Sequence, residues 1–299
     1  MSSRFGLIGA AGYIAPKHMR AIKDTGNDLV SILDPNDSVG IIDSHFPEAS
    51  YFSEFERFDR HLDRSRRMGK GVDYISIASP NYLHDSHMRF ALKTDAHAIC
   101  EKPLVMNPYA LNSLKQLEQE TGKRVYPILQ LRLHPSIVKL KKKIEKSVSN
   151  SHEIVLDYVT PRGKWYNYSW KGNHDKSGGV ATNIGIHFFD MLLWIFGSVQ
   201  NSYVDYHTDT KASGHLELEK ANVQWRLSID ANDIPKMGMI REWKAYRSIT
   251  VDGKEIEFSD GFTDLHTESY KNILNGNGFT IDDAEPSLKL VHQIRNAKK

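Results

Sequence analysis

Glu101-Lys102-Pro103 closes a short apolar run, and a lysine in that position can hold an anionic oxygen or pass a proton. A second cluster reads Ser177-Gly178-Gly179-Val180-Ala181-Thr182-Asn183-Ile184-Gly185-Ile186-His187-Phe188-Phe189-Asp190. On a helix Asn183, His187 and Asp190 stand at i, i+4 and i+7 and share one face. Gly178 and Gly179 would let a substrate come close to the backbone ahead of that helix. An imidazole among apolar residues, with an amide beside it, suits a sugar site in which His187 is the general base. The plainer alternative is a hydrogen-bonded core histidine. Asparagine is a poor transition-metal ligand and no second His or Cys cluster accompanies these residues, so no metal is expected.

A third cluster suits a dinucleotide. The first apolar run turns at Gly9-Ala10-Ala11-Gly12-Tyr13-Ile14-Ala15 into a helical pattern through Met19 and Ile22. Small residues there let the backbone approach a pyrophosphate seated on the helix N-terminus. The spacing is G-x-x-G-x-x-A, one residue longer than the common G-x-G-x-x-G. Asp34 ends the second run, 22 residues beyond Gly12. A carboxylate there accepts hydrogen bonds from adenosine ribose hydroxyls and repels a 2′-phosphate, which favours NAD over NADP; the alternative is a turn residue before Pro35-Asn36. In a doubly wound sheet the ligand lies at the carboxyl ends of the strands, where Ser79-Pro80-Asn81-Tyr82-Leu83-His84, Glu101-Lys102-Pro103 and Gln130 would emerge. Asn81 would otherwise cap the next helix and His84 lie on its surface.

The elements that must position these groups follow from periodicity. Residues 5–8, 29–33, 72–78, 96–100 and 125–129 read as short buried strands, with helical patterns between them at 83–93 and 109–120. Leu111, Leu114 and Leu117 repeat along the second helix, and Thr121-Gly122 stops it. Strand–helix alternation gives a parallel sheet with helices on both faces. Beyond residue 149 the pattern changes to strands at 152–160, 203–207, 215–219, 223–230, 237–243, 249–251 and 255–258, with an Asp252-Gly253 hairpin turn. That predicts a mainly antiparallel, open sheet. Helices are expected at 184–196, 264–274 and 285–297. Lys139, Lys141, Lys142, Lys143 and Lys146 read as a solvated helix face.

Thirty-nine basic against 37 acidic residues leave a net charge of +2, too little to hold nucleic acid or an anionic membrane by bulk charge. The 40% hydrophobic and 25% charged content is that of a globular protein, and 299 residues suggest two domains. Cys100 is alone, which excludes an intramolecular disulfide. The N-terminus has no signal-peptide pattern, and residues 184–196 are too few to span a bilayer, so a cytoplasmic location is expected.

The glycine turn, Asp34, Ser79-Pro80-Asn81, Glu101-Lys102-Pro103 and the Gly178-Gly179…Asn183…His187 helix, in this order, resemble the glucose–fructose oxidoreductase / inositol dehydrogenase family across essentially the whole chain. A narrower resemblance, to bacterial UDP-N-acetyl-glucosaminuronate 3-dehydrogenases, rests on four further stretches. These are Ile8-Gly9-Ala10-Ala11-Gly12-Tyr13-Ile14-Ala15-Pro16-Lys17-His18-Met19, Ile128-Leu129-Gln130-Leu131-Arg132-Leu133-His134-Pro135, Arg162-Gly163-Lys164-Trp165-Tyr166 and the helix from Asn183 through Asp190.

The resemblance implies an α/β protein with a Rossmann domain over residues 1–130 and a substrate-binding, oligomerising α/β domain over 131–299, its last helix, about 285–297, packing back on the first domain. It implies oxidation of the sugar C3 hydroxyl to a ketone in making lipopolysaccharide O-antigen sugars, with NAD taking the hydride. Lys102 and His187 are implied as the catalytic pair and Glu101 as a neighbour of the cofactor. Many relatives carry Asp at the position of Asn183, so more of the proton transfer falls on His187, Lys102 or both. A uronate and a diphosphate need cations, for which Arg162 and Lys164 are the candidates, with Trp165 and Tyr166 offering surfaces to sugar or uracil. Homo-oligomers, with a tetramer favoured, and reoxidation of NADH by 2-oxoglutarate are further expectations from relatives. A dehydrogenase of another sugar or polyol, and an NAD-binding sensor without turnover, are the rival readings.

Overall fold

The computed structural model describes residues 2–149, 151–235, 245–256 and 264–297. Two compact units emerge: Met1–Val105 with Tyr109–Gln130 and Thr263–Ala284, and Met106–Pro108 with Leu131–Phe262 and Glu285–Lys299.

The first unit alternates strand and helix: β1 (Arg4–Ile8), α1 (Ala15–Asp24), β2 (Asp28–Leu33), β3 (Ser50–Phe52), α2 (Phe55–Arg67), β4 (Tyr74–Ile77), α3 (His84–Lys93), β5 (His97–Cys100), α4 (Ala110–Thr121) and β6 (Val125–Pro127). The strands form one parallel sheet in the order β3-β2-β1-β4-β5-β6. The order reverses between β1 and β4, the position where such sheets open a ligand crevice. Register sets what meets there. Ile8 pairs with Leu33 and Ile77, and Ile77 with Cys100, so Gly9, Asp34, Ala78 and Glu101 all leave the same edge. Gly122, at φ 68°, caps α4 in the left-handed conformation that its sequence predicts.

The second unit begins with α5 (Pro135–Glu145), β7 (His152–Val159), α6 (Trp165–Tyr168), α7 (His174–Ser177) and α8 (Ile186–Phe196), followed by β8 (Val199–His207), β9 (Lys211–Leu218), β10 (Ala221–Ser228), β11 (Tyr246–Val251) and β12 (Lys254–Glu255). Its sheet runs β12-β11-β7-β10-β9-β8. All ladders are antiparallel except β7 with β10. That parallel pair, which strand patterning did not reveal, is possible because α6 to α8 lie between the two strands as a crossover. Asp252 and Gly253 turn at φ 52° and 74°, the paired positive angles of a tight hairpin. The expected strand 237–243, and residues 257–258 of the one expected at 255–258, lie outside the described residues.

Helix α8 lies against β10. Phe189 meets Trp225 edge to face at 5.2 Å, and a Cβ on Gly185 would stand 2.5 Å from Leu227. The helical stretch His174–Phe196 is long and apolar enough to cross a membrane by length and composition, more than the 13 residues read from sequence, but 83% of its apolar window is buried inside the protein, as in a core helix. Lys139, Lys142, Lys143 and Lys146 are exposed on α5, whereas Lys141 donates to the Trp194 carbonyl at 2.8 Å.

Two helices end the chain, α9 (Leu265–Leu274) and α10 (Ile281–Arg295). Helix α9 belongs to the first unit: Tyr270 and Ile273 join Phe5, Leu7, Met19 and Ile22 in its core. The last helix starts in the first unit and belongs to the second from Glu285 onward.

Candidate active site

Gly9, at φ +96°, sits where the turn after β1 passes the end of β4. A Cβ there would lie 2.6 Å from the Ala78 carbon and the Ser79 nitrogen, closer than any side chain tolerates. Gly12 faces the Gly9 carbonyl and would bring a Cβ to 3.2 Å. Asp34 is buried and ties the turn to β2: one carboxylate oxygen accepts from Ala11 N–H and the other from Asn36 N–H, both at 2.8 Å. It is therefore both the turn residue and the partner of the glycine loop. Each carboxylate oxygen keeps a further acceptor position. Tyr13 is exposed and Ile14 half-buried at the entrance to α1.

After β4, Ser79 and Asn81 are buried and Pro80 half-buried. Ser79 Oγ lies 2.9 Å from His87 Nδ1. Burial, helped by neighbouring His84, pushes the His87 pKa down to about 4. His84 is not a surface histidine. Its Nε2 faces the Ser79 carbonyl and its Nδ1 the Pro103 carbonyl, each at 2.7 Å, so one ring joins the loops after β4 and β5. Burial lowers its pKa, against the pull of those two carbonyls. Gln130, after β6, has a buried amide oxygen with no hydrogen-bond partner among the described residues.

Glu101 follows β5 directly and is 5% exposed. Its Oε1 accepts from His18 Nε2 at 3.2 Å and His266 Nε2 at 2.8 Å, and its Oε2 lies 3.3 Å from Lys102 Nζ. Burial works to raise its pKa, but the Lys102 charge and the two histidine hydrogen bonds outweigh that and hold it well below the usual carboxylate range. Lys102, whose peptide bond to Pro103 is cis, keeps 17% of its side chain exposed, so its ammonium is within reach of a ligand. His18, Glu101 and His266 offer three donor atoms within 4.8 Å of one another, a spacing that could also hold a metal ion. Glu101 is already paired there with an ammonium, which disfavours a second cation.

In the second unit the chain leaving β7 keeps to β10, with Thr160 N–H and Arg162 N–H donating to the carbonyls of Ser228 and Ile229. Arg162, Lys164 and Trp165 are exposed, and Tyr166 is buried. Asn183 Nδ2 donates to Tyr166 Oη at 3.1 Å, which brings two of the expected substrate residues together. Burial raises the Tyr166 pKa, opposed by Asn183 and Arg162, so its hydroxyl keeps its proton. Gly178 and Gly179 both take positive φ, and the helix then opens with a π turn, Ala181–Gly185, a local widening often found at functional sites. Asn183 sits in that turn and His187 in the first turn of α8; both are half-buried. Asp190 does not share their exposure. It is 3% exposed and receives two hydrogen bonds from Arg132, at 2.9 and 2.8 Å.

Residues 3–128 match the oxidoreductase family with the NAD-binding Rossmann fold, and residues 147–299 match that family's C-terminal α/β domain. The chain belongs to the glucose–fructose oxidoreductase / inositol dehydrogenase family. Among solved structures, the WlbA (WbpB) dehydrogenase of Thermus thermophilus in complex with NAD and UDP-GlcNAcA is 50% identical, with a TM-score of 0.96 over 100% of this chain and 96% of that one. A second structure of that enzyme, with NAD and α-ketoglutarate, is 51% identical with the same TM-score and coverage. Of the curated relatives, the glucose-6-phosphate 3-dehydrogenase of Bacillus subtilis is 27% identical over 65% of this chain, and the D-glucoside 3-dehydrogenase of Escherichia coli 26% over 70%. The matches span 54% and 58% of those two proteins' own length.

The residues present fit this oxidoreductase family's cofactor, NAD. No side chain caps the N-terminus of α1 and no acidic residue stands in its first turn, which leaves a positive helix end for a pyrophosphate. Asp34 has carboxylate oxygens beside the glycine turn that suit ribose hydroxyls, and the Gln130 amide oxygen, without a partner among the described residues, lies after a strand of the same sheet. Sequence reasoning missed His18, His266, Tyr270 and Arg132. His18 carried a signal, standing beside Met19 on the apolar face of α1, where a polar residue has to find a partner.

Proposed function

We propose that the protein is an NAD-dependent dehydrogenase that oxidises the C3 hydroxyl of UDP-N-acetyl-D-glucosaminuronate to the 3-keto sugar. The observation that carries this reading is the 50% identity, end to end, with the Thermus thermophilus dehydrogenase whose complex holds NAD and UDP-GlcNAcA. NAD supplies the hydride acceptor. The loss of hydride from C3 requires its hydroxyl to give up a proton while negative charge grows on the oxygen. His187, as a neutral imidazole, is assigned to take that proton and the Lys102 ammonium to hold the oxygen. Their roles are exchangeable on chemical grounds. Asn183, hydrogen-bonded to Tyr166, is assigned to orient the sugar. Arg162 and Lys164 are assigned to the carboxylate and diphosphate, and Trp165 to a sugar or uracil face.

The first unit serves as the NAD domain and the second as the substrate and oligomer domain, in a cytoplasmic tetramer supplying lipopolysaccharide sugars. The complex of the Thermus thermophilus dehydrogenase with α-ketoglutarate supports 2-oxoglutarate as the final oxidant of NADH, reduced to the 2-hydroxy acid.

Turnover assays test the substrate. UDP-N-acetylglucosaminuronate should be oxidised and UDP-N-acetylglucosamine, which lacks the carboxylate, should be poor; Arg162→Ala should weaken only the acid. Equal turnover of both sugars by the native enzyme would remove the uronate from the reading. Activity on inositol or a free hexose without UDP would favour the sugar and polyol dehydrogenases among its relatives.

A further inference from the structure

Beneath Lys102 runs a chain of polar groups that spans four elements of the first unit. Ser76 Oγ on β4 is 2.6 Å from Tyr270 Oη on α9; Tyr270 Oη is 2.7 Å from His18 Nδ1 on α1; and His18 Nε2 is 3.2 Å from Glu101 Oε1 at the end of β5. His266, also on α9, reaches the same oxygen at 2.8 Å. Ser76, His18 and Tyr270 are fully buried, and His266 and Glu101 nearly so. Burying this many polar groups is unfavourable unless every donor finds an acceptor.

With both imidazoles neutral, the hydrogen bonds fit one arrangement of protons. An ionised Glu101 only accepts, so both histidines present Nε2–H to it. His18 Nδ1 is then an acceptor, filled by the Tyr270 hydroxyl, whose oxygen in turn accepts from Ser76. Every proton points toward Glu101, and the other carboxylate oxygen faces the Lys102 ammonium. We propose that His18, His266 and Tyr270 are positioning residues that keep Glu101 ionised and aimed at Lys102, so that the ammonium is held in one place for the reacting oxygen. The inference rests on the reading of Lys102 as a catalytic residue.

Other groups face Glu101 too. His84 on α3 and Cys100 on β5 feel its charge, and Lys17 on α1 stands near His266. Burial pushes the Cys100 thiol up and the His84 imidazole down, the latter against its two carbonyl partners, and Lys102 and Lys17 are the lysines of this neighbourhood. The sign follows. The folded-state pKa of Glu101 is depressed, so the carboxylate persists as pH falls; each lost donor lets burial raise that pKa and protonate Glu101 sooner.

Two measurements on the full chain test this, one of them without substrate. In ¹⁵N NMR of the native protein, His18 and His266 should both show the Nε2–H tautomer, and the ¹³C signal of the Glu101 carboxyl should stay that of a carboxylate below the pH at which an ordinary glutamate protonates. His266→Leu should move the Glu101 titration up by about one to two pH units, the effect of losing one hydrogen bond to a charged group. Its kcat should fall, with a deficit that grows as the pH drops toward that raised Glu101 titration, while KM and NAD affinity hold. His266→Gln, which keeps an N–H donor, should recover most of the loss. An Nδ1–H tautomer in either histidine, or a deficit equal at all pH values with Glu101 unmoved, would overturn the proposal. If His266→Leu does not fold, Tyr270→Phe and the native spectra decide. If the native protein turns over no UDP-sugar, the functional reading fails, and the two NMR titrations still judge the hydrogen-bond chain.

Discussion

Replacing Arg132 by Met should be among the most destabilising single changes in the second unit. The guanidinium and the Asp190 carboxylate are joined by two hydrogen bonds, with side chains 6% and 4% exposed, and Ser287 Oγ lies 3.4 Å from Asp190 Oδ1. Methionine keeps the stem of the side chain and removes the charge, leaving the carboxylate buried without its guanidinium. Breaking a buried pair from one side costs about 3–5 kcal/mol, because the remaining charge keeps its desolvation penalty. At about 2–4 °C per kcal/mol for a unit of this size, the midpoint should fall by roughly 6–20 °C. Urea unfolding followed by tryptophan fluorescence reads this directly, since the Arg132 guanidinium lies 6.0 Å from the Trp194 ring. Arg132→Met with Asp190→Leu should be more stable than Arg132→Met alone, because the double variant buries no unpaired charge. A single variant within about 1 kcal/mol of native, or a double variant whose loss equals the sum of the two singles, would refute the reasoning. His187 precedes Asp190 by less than one helical turn, so Arg132→Met should also lower kcat well below its melting temperature.

Asp34→Ala should weaken NAD binding and narrow its advantage over NADP, measured by calorimetry; equal affinities in the native protein would defeat the assignment of Asp34 to the ribose. Gly9→Ala should lose both stability and NAD affinity, since its Cβ would press on the Ala78–Ser79 backbone at 2.6 Å with φ at +96°; an unchanged melting temperature would count against the close approach. Lys102→Met and His187→Asn should each slow substrate-dependent NADH formation by roughly 10²–10⁴-fold with NAD binding nearly intact. The double variant should be little worse than the poorer single one if the two act as a unit, and a folded His187→Asn enzyme at native rates would return His187 to the core.

What could be read from sequence was what is local. Each strand of the first sheet except β3 came from a run of apolar residues; β3 is only Ser50-Tyr51-Phe52, too short to show a pattern. The Asp252-Gly253 turn and the Gly122 cap were legible because their backbone angles demand those residues. Helix α2 escaped: Phe58 and Leu62 are its only buried residues amid thirteen that are mostly charged. The candidate residues that the sequence offered, Asp34, Lys102 and His187, sit at strand ends or in one helix, where a local pattern marks them. The site was illegible where the partner is remote. Glu101 meets His266 across 165 positions and Tyr270 meets His18 across 252, and no periodicity connects such distances. Asp190 was legible as a face-mate of His187, but its partner Arg132 lies 58 residues away, and only the fold shows that the carboxylate is spoken for.

The placement of α9 bears on the order of events in synthesis. Phe5, Met19 and Ile22 are made early, while Tyr270 and Ile273, which cover them, come near the end of the chain. At about 5–20 residues per second, a ribosome needs roughly 7–30 seconds to travel from residue 130 to the end of α9. During that interval the nascent first unit has its sheet but not its full core, and His18 has no tyrosine to accept from. For the same reason a fragment ending at residue 130 is not the nucleotide-binding domain in miniature: it would carry Glu101 without His266.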